Sequence, residues 1–332
     1  MVLTQYRGRI RKKLLILHPY HNFLYMKQIT LLLSGLLSIL IMKAQQVEKI
    51  FLDKADSTRN CYISVIPASR PCVGILFLIG GFGEDDNDVM TQTQLPVLAA
   101  EQGILTVIPT FQDGPNSFGF DRNSQHTFRG IVEDARARYQ LHDCPYYLGG
   151  FSMGGCAAVK YAEEAVQKPA ALFAIDSPLD IERFYNATKR DATLLGKNDG
   201  TSDNIYGFLL SAIERIMGGT PQTVQENYHK QSPYSLWDSA RTAIRPLITI
   251  PVRVYIEPDI EWWLNERQTD AYGLNIIDCT AFINDLRHLG NKQAALIATH
   301  GKGFRFPAMQ PHPHSWSIVD DRELIAWLLS CK

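Results

Sequence analysis

The segment Tyr146-Tyr147-Leu148-Gly149-Gly150-Phe151-Ser152-Met153-Gly154-Gly155-Cys156-Ala157-Ala158 sets a serine in a Gly-x-Ser-x-Gly pattern, behind a β-rich run and ahead of a helical one. Acyl transfer uses this arrangement. A serine hydroxyl is a weak nucleophile until a base takes its proton, and a sharp strand-to-helix turn lifts it clear of its neighbours. Gly150 and Gly154 allow the close backbone approach such a turn needs, and Gly155, Ala157 and Ala158 let the following helix pack near the sheet. The base has to be an imidazole on a loop that reaches the serine, held in the correct tautomer by a carboxylate. Pro311-His312-Pro313-His314-Ser315-Trp316 offers two histidines, and Val252-Arg253-Val254-Tyr255-Ile256-Glu257-Pro258-Asp259 offers two carboxylates.

Other groupings of reactive side chains read as structural. Glu84, Asp85, Asp86 and Asp88 form an acidic run, but acidic residues favour the first turn of a helix, so a solvated helix start is preferred to a calcium site. His312 and His314 have no third ligand cluster nearby, so a metal is not expected. His300 reads as a strand-end structural residue. Trp262, Trp263, Phe111, Phe118, Phe120 and Tyr206 are read either as the lining of an acyl or sugar pocket or as core. No GxGxxG or Walker-type loop occurs, and no cofactor is expected.

With its serine turn between strand and helix, the chain resembles the α/β-hydrolase family, whose order of nucleophile, acid and histidine it follows. The resemblance implies Ser152 as nucleophile and His314, in its His-x-Trp setting, as general base, with His312 as the alternative. It implies Asp259 as acid, because the family spacing puts that residue two or three positions beyond the penultimate strand. Glu257, nearer the strand end, is the competitor. The oxyanion hole implied is the backbone N–H of Met153 together with that of Phe82, in Gly80-Gly81-Phe82-Gly83-Glu84. Gly80 stands where the family commonly has histidine, so one usual support of that loop is missing.

These residues must be held by a scaffold in which short β-rich runs alternate with helical segments, the pattern of a mostly parallel sheet covered on both faces. Strands are expected near Val47 to Leu52, Cys61 to Ile66, Gly74 to Ile79, Leu105 to Ile108, Tyr146 to Leu148, Ala171 to Ile175, Val252 to Ile256 and Ala294 to Ala298. The first two should form an antiparallel edge. Helices are expected over Val89 to Glu101, Thr127 to Leu141, Met153 to Val166, Thr280 to Leu289 and Asp320 to Leu329. A strandless, helical stretch at about 181 to 243 reads as an insertion, placed as a lid before the penultimate strand. The fold class expected is therefore α/β, an α/β-hydrolase domain over residues 45 to 332.

Ahead of it, Ile29 to Met42 is an almost unbroken apolar run behind Lys27, with Ala44 before the expected cut. Its 14 residues are too few for a spanning helix, which needs about 20, and suit a signal peptide. Met42 and Lys43 keep an uncleaved N-terminal membrane anchor as the alternative. Residues 1 to 25 read as a long basic lead or an upstream segment ahead of a start at Met26. Either reading exports the body, to the periplasm or the medium. Six cysteines without CxxC spacing do not make a disulfide scaffold or a zinc site.

The 332 residues carry 45% hydrophobic and 20% charged residues, which excludes a disordered chain or a polytopic membrane protein. A formal charge of −1 gives no basic field for nucleic acid. The expected function is a serine hydrolase acting on carboxylic esters, small or carbohydrate-linked, through an acyl-enzyme. Peptidase or thioesterase action, or a non-catalytic binding module of the same fold, are the alternatives.

Overall fold

Eight apolar runs bounded by turn residues become eight strands of one sheet. The computed structural model describes residues 45–331, apart from 54, 57, 69–71 and 197–203. The expected signal peptide or anchor, residues 1–44, lies outside the described residues. The strands are β1 Gln46–Phe51, β2 Cys61–Ile66, β3 Gly74–Ile79, β4 Ile104–Thr110, β5 Tyr146–Phe151, β6 Ala171–Ile175, β7 Val252–Ile256 and β8 Ala294–Ala298. Their spatial order is β1-β2-β4-β3-β5-β6-β7-β8. The first two strands form the antiparallel edge, β2 joins β4 antiparallel, and every pairing beyond is parallel. Strands β3, β4, β5 and β6 are buried along their whole length, as a sheet covered on both faces requires.

The covering helices are α1 Asp86–Gln92, α2 Leu95–Glu101, α3 Arg122–Arg138, α4 Met153–Glu164, α5 Ile181–Leu194, α6 Ile205–Met217, α7 Pro221–Gln231, α8 Ile276–His288 and α9 Asp321–Ser330. Phe128, Ile131 and Ala135 of α3, Ala158 and Tyr161 of α4, and Phe282 and Leu286 of α8 bury one face of the sheet. Val89 of α1, Leu95 and Leu98 of α2, and Leu324 and Leu328 of α9 bury the other.

One expected helix divides. Val89 to Glu101 is split because Thr93 is extended, with φ −141° and ψ 149°, and Pro96 lies in the first turn of α2, where its missing N–H does no harm. Asp321 secures the break, accepting from Thr93 Oγ1 at 3.0 Å and Gln94 N at 2.9 Å. Helix α3 starts at Arg122 rather than Thr127 because the Asp121 carboxylate accepts from Asn123 N and Ser124 N, a cap that polar residues concealed. Helices α5, α6 and α7 lie between β6 and β7 with no strand among the described residues. After β8, a ribbon of β9 Phe304–Arg305 against β10 Gln310–Pro311 leads into the segment carrying His312 and His314.

No described helix is long and apolar enough to cross a membrane. No disulfide joins cysteines among the described residues.

Candidate active site

Ser152 stands between the last residue of β5 and the first of α4, at φ 52° and ψ −123°. L-residues rarely adopt a positive φ, so packing must impose it. A Cβ on Gly150 would meet Ile79 O at 2.5 Å, one on Gly154 would meet the same oxygen at 2.2 Å, and one on Gly155 would meet Ser177 Oγ at 2.0 Å. The glycines thus let α4 start directly against the ends of β3 and β6, and Ser152 N donates to Ile175 O at 2.8 Å.

His314 approaches the serine from the other side of the sheet end. Its Nε2 lies 3.1 Å from Ser152 Oγ, and its ring is stacked on Phe151 with centroids 4.5 Å apart. Phe151 also packs on Trp316, at 5.3 Å.

The partner of the other imidazole nitrogen corrects the expectation. His314 Nδ1 lies 2.7 Å from Asp176 Oδ2, so the carboxylate comes from the end of β6 and not from the loop after β7. Asp176 follows Ile175 directly, at φ 43°. Its N–H donates to Tyr255 O at 2.8 Å, and its carbonyl accepts from Asn275 Nδ2 at 2.9 Å. These bonds fix the turn that aims the carboxylate, which is 6% exposed, along the sheet end. The sequence signal was present: an aspartate directly after an expected strand, next in the sheet to the strand that carries the serine.

Asp259 and Glu257 are occupied elsewhere. Asp259 Oδ1 accepts from Trp262 N at 3.0 Å, capping the short turn that follows it. Glu257 is buried, and its carboxylate accepts from Thr299 Oγ1 at 3.0 Å, Lys302 N at 2.8 Å and Gly303 N at 3.0 Å. It therefore clamps the start of the segment that ends at His314. His312, the alternative base, is 7% exposed and packed against Trp262 at 4.8 Å and Trp263 at 5.6 Å. Burial, helped by the nearby Arg305 charge, lowers its pKa to about 3, which keeps it neutral.

Met153 N and Phe82 N donate to no acceptor among the described residues. Phe82 occupies a turn closed by Glu84 N donating to Gly81 O at 3.1 Å, and Gly83 beside it, at φ 84°, donates to Pro115 O at 2.8 Å. Phe82, Ser152, Arg305, His314 and Trp316 line a cleft of about 310 Å³.

Of the remaining aromatics, Trp262 and Trp263 cover His312. Phe111 is core, and Phe118 and Phe120 pack with Met153 behind the serine. Tyr206 lies on α6, and His300 is exposed just past β8. The acidic run disperses: Asp85 caps α1, Asp88 returns a bond to Asp85 N, Asp86 pairs with Lys49 at 2.7 Å, and Glu84 turns inward. No cluster that could hold a metal ion occurs among the described residues.

No family model matches the chain, and no curated protein matches it in sequence. Solved structures do resemble it. MPT51 (FbpC1) of Mycobacterium tuberculosis matches with a TM-score of 0.57 at 13% identity, over 87% of this chain and 98% of that one. An S-formylglutathione hydrolase from Agrobacterium tumefaciens matches with a TM-score of 0.51 at 13% identity, over 86% and 95%. Est1E from Butyrivibrio proteoclasticus matches with a TM-score of 0.50 at 13% identity, over 86% and 100%. At such identities the likeness is one of fold, and the fold is that of the α/β-hydrolases.

Proposed function

We propose that this α/β-hydrolase-fold chain is a serine hydrolase that cleaves carboxylic esters, with Ser152 as nucleophile, His314 as general base and Asp176 as the acid that orients His314. The observation that carries the reading is the unbroken line from Ser152 Oγ to His314 Nε2 at 3.1 Å and from His314 Nδ1 to Asp176 Oδ2 at 2.7 Å. An imidazole held this way presents an unprotonated nitrogen to the hydroxyl. Ser152 Oγ bonds to the carbonyl carbon as its proton passes to His314 Nε2, and the carbonyl electron pair moves onto oxygen. The backbone N–H groups of Met153 and Phe82 receive that charge. On collapse the ester C–O bond breaks and the leaving oxygen takes the proton from His314. Water, deprotonated by the same imidazole, then releases the acid from Ser152.

A cleft of about 310 Å³ beside the serine suits a short acyl group, consistent with small or carbohydrate-linked esters as substrates. An S-formylglutathione hydrolase among the solved structures of similar fold is in keeping with this choice. We further propose, on the apolar run Ile29 to Met42, that the enzyme acts after export, membrane-bound only if that run is retained.

The test is labelling of the purified protein with a fluorophosphonate, with the adduct located by mass spectrometry. An adduct on Ser152 that is lost in Ser152→Ala and in His314→Ala is expected. A folded protein that neither labels nor hydrolyses short-chain p-nitrophenyl esters would favour a binding module instead.

A further inference from the structure

The loop that carries Phe82 lacks the histidine brace that the family resemblance implies at Gly80, and a different brace occupies the space. Glu84 Oε2 accepts from Gly81 N at 2.7 Å and from Trp316 Nε1 at 3.0 Å. Gly81 and Glu84 are the two ends of the turn that has Phe82 at its corner, so the carboxylate closes that turn a second time. Trp316 belongs to the other half of the site: it packs on Phe151, which packs on His314 two residues before it. A side chain at either glycine would force a neighbour to shift. A Cβ on Gly80 would meet Val89 at 2.9 Å, and one on Gly81 would meet Phe151 at 2.9 Å.

We propose that Glu84 is a positioning residue, a single inward-facing carboxylate that ties the Phe82 oxyanion donor to the His314 segment and fixes the distance between them. The inference rests on Ser152 being the nucleophile. An oxyanion donor is effective only where the developing charge will sit, and a displacement of about 1 Å can remove about a hundredfold in rate. The Phe82 ring packs on Phe118 and Phe208, with centroids 5.2 and 5.8 Å away, and Glu84 supplies the polar tie that closes the turn carrying its N–H. Charge-assisted bonds from a carboxylate to two N–H donors are the strong kind that can hold a glycine-rich turn in place. Burial raises the Glu84 pKa, and the Gly81 and Trp316 N–H groups offset only part of that rise. Asp88 and the imidazole of His314 also act on it, and Arg305 lies near enough for its guanidinium to feel the same charge.

The test compares Glu84→Ala, Glu84→Gln, Trp316→Phe and the Glu84→Gln, Trp316→Phe double variant with the parent enzyme. Each is measured for ester hydrolysis, for inhibition by a boronic acid that forms a tetrahedral adduct on serine, and for thermal unfolding. Glu84→Ala should lower kcat by about a hundredfold with KM changed by less than about threefold, and weaken the boronate by about the factor seen in kcat. Glu84→Gln retains an acceptor oxygen and should recover most of both losses. Trp316→Phe keeps the ring on Phe151 and removes one donor, so its loss and that of Glu84→Gln should not add. Folded Glu84→Gln and Trp316→Phe enzymes with additive effects, or a folded Glu84→Ala enzyme with parental kcat and boronate affinity, would overturn the proposal. If Glu84→Ala does not fold, the Gln and Phe variants decide alone. A parent enzyme that labels on Ser152 beside unaffected Glu84 variants sinks only this inference. A parent that fails to label sinks the assignment of Ser152 and this inference with it.

Discussion

His314 and Asp176 meet across the end of the sheet, Nδ1 to Oδ2 at 2.7 Å, although 138 positions separate them in sequence. The strand order makes this contact: β6 lies directly beside β5, so the residue after β6 sits next to the residue after β5, which is Ser152. A carboxylate on the loop after β7 stands one strand further away.

Asp176→Asn should therefore lower kcat by about 10⁴, since an amide can hold the imidazole in the wrong tautomer. Asp259→Asn should leave kcat within about twofold of the parent, because Asp259 Oδ1 only caps Trp262 N. Steady-state kinetics on one ester decides, and the reverse ranking would return the acid to the loop after β7.

Glu257→Ala should show itself in stability before activity. It strands the N–H groups of Lys302 and Gly303, while the Thr299 hydroxyl keeps Ile256 O as acceptor, and the one buried donor left without an acceptor, Gly303 N, costs about 1–3 kcal/mol. Denaturant unfolding should register a loss of about 2 kcal/mol. An unchanged unfolding midpoint would show that the clamp is dispensable.

Gly154→Ala is expected to destabilise and to abolish labelling together. The new methyl would lie 2.2 Å from Ile79 O and 2.4 Å from Gly80 O, both backbone atoms that cannot turn aside, so α4 must move and carry Ser152 with it. Thermal unfolding and fluorophosphonate labelling of the same sample check both consequences.

His312 gives the protein a defined acid sensitivity. Its folded pKa is lowered to about 3, below the unfolded value of about 6.5. The unfolded chain thus binds the extra proton first, and stability falls as pH drops from about 6.5 toward 3, by up to about 1.4 kcal/mol per pH unit. Asp180 and Asp321, raised by burial to about 6, work in the opposite sense between about 4 and 6, because there the folded state holds the extra protons. The contribution of His312 is isolated by His312→Phe, which keeps a ring against Trp262 and Trp263. Its stability relative to the parent should rise as pH falls below 6.5, and a parallel pair of curves would contradict the assignment.

What the sequence by itself determined was local or periodic. Ser152 was legible because a strained turn needs glycine at fixed offsets on either side, and the parallel sheet because buried strands are uniformly apolar between turn residues. His314 was legible from chain order and from its place after the last strand of the sheet. The tertiary structure decided which carboxylate faces it. Asp176, Glu257 and Asp259 each sit at or just past a strand end in sequence, and nothing in their spacing says which strand lies beside β5 or where a side chain turns. The same holds for Glu84, one of four neighbouring acids in the sequence. The N–H groups of Gly81 and of Trp316, the latter packed on Phe151, hold its carboxylate inward while Asp85, Asp86 and Asp88 go to a helix cap and a lysine. Hydrogen-bond partners across a sheet end depend on strand order and loop path, and both are settled by long-range burial rather than by neighbours in the chain.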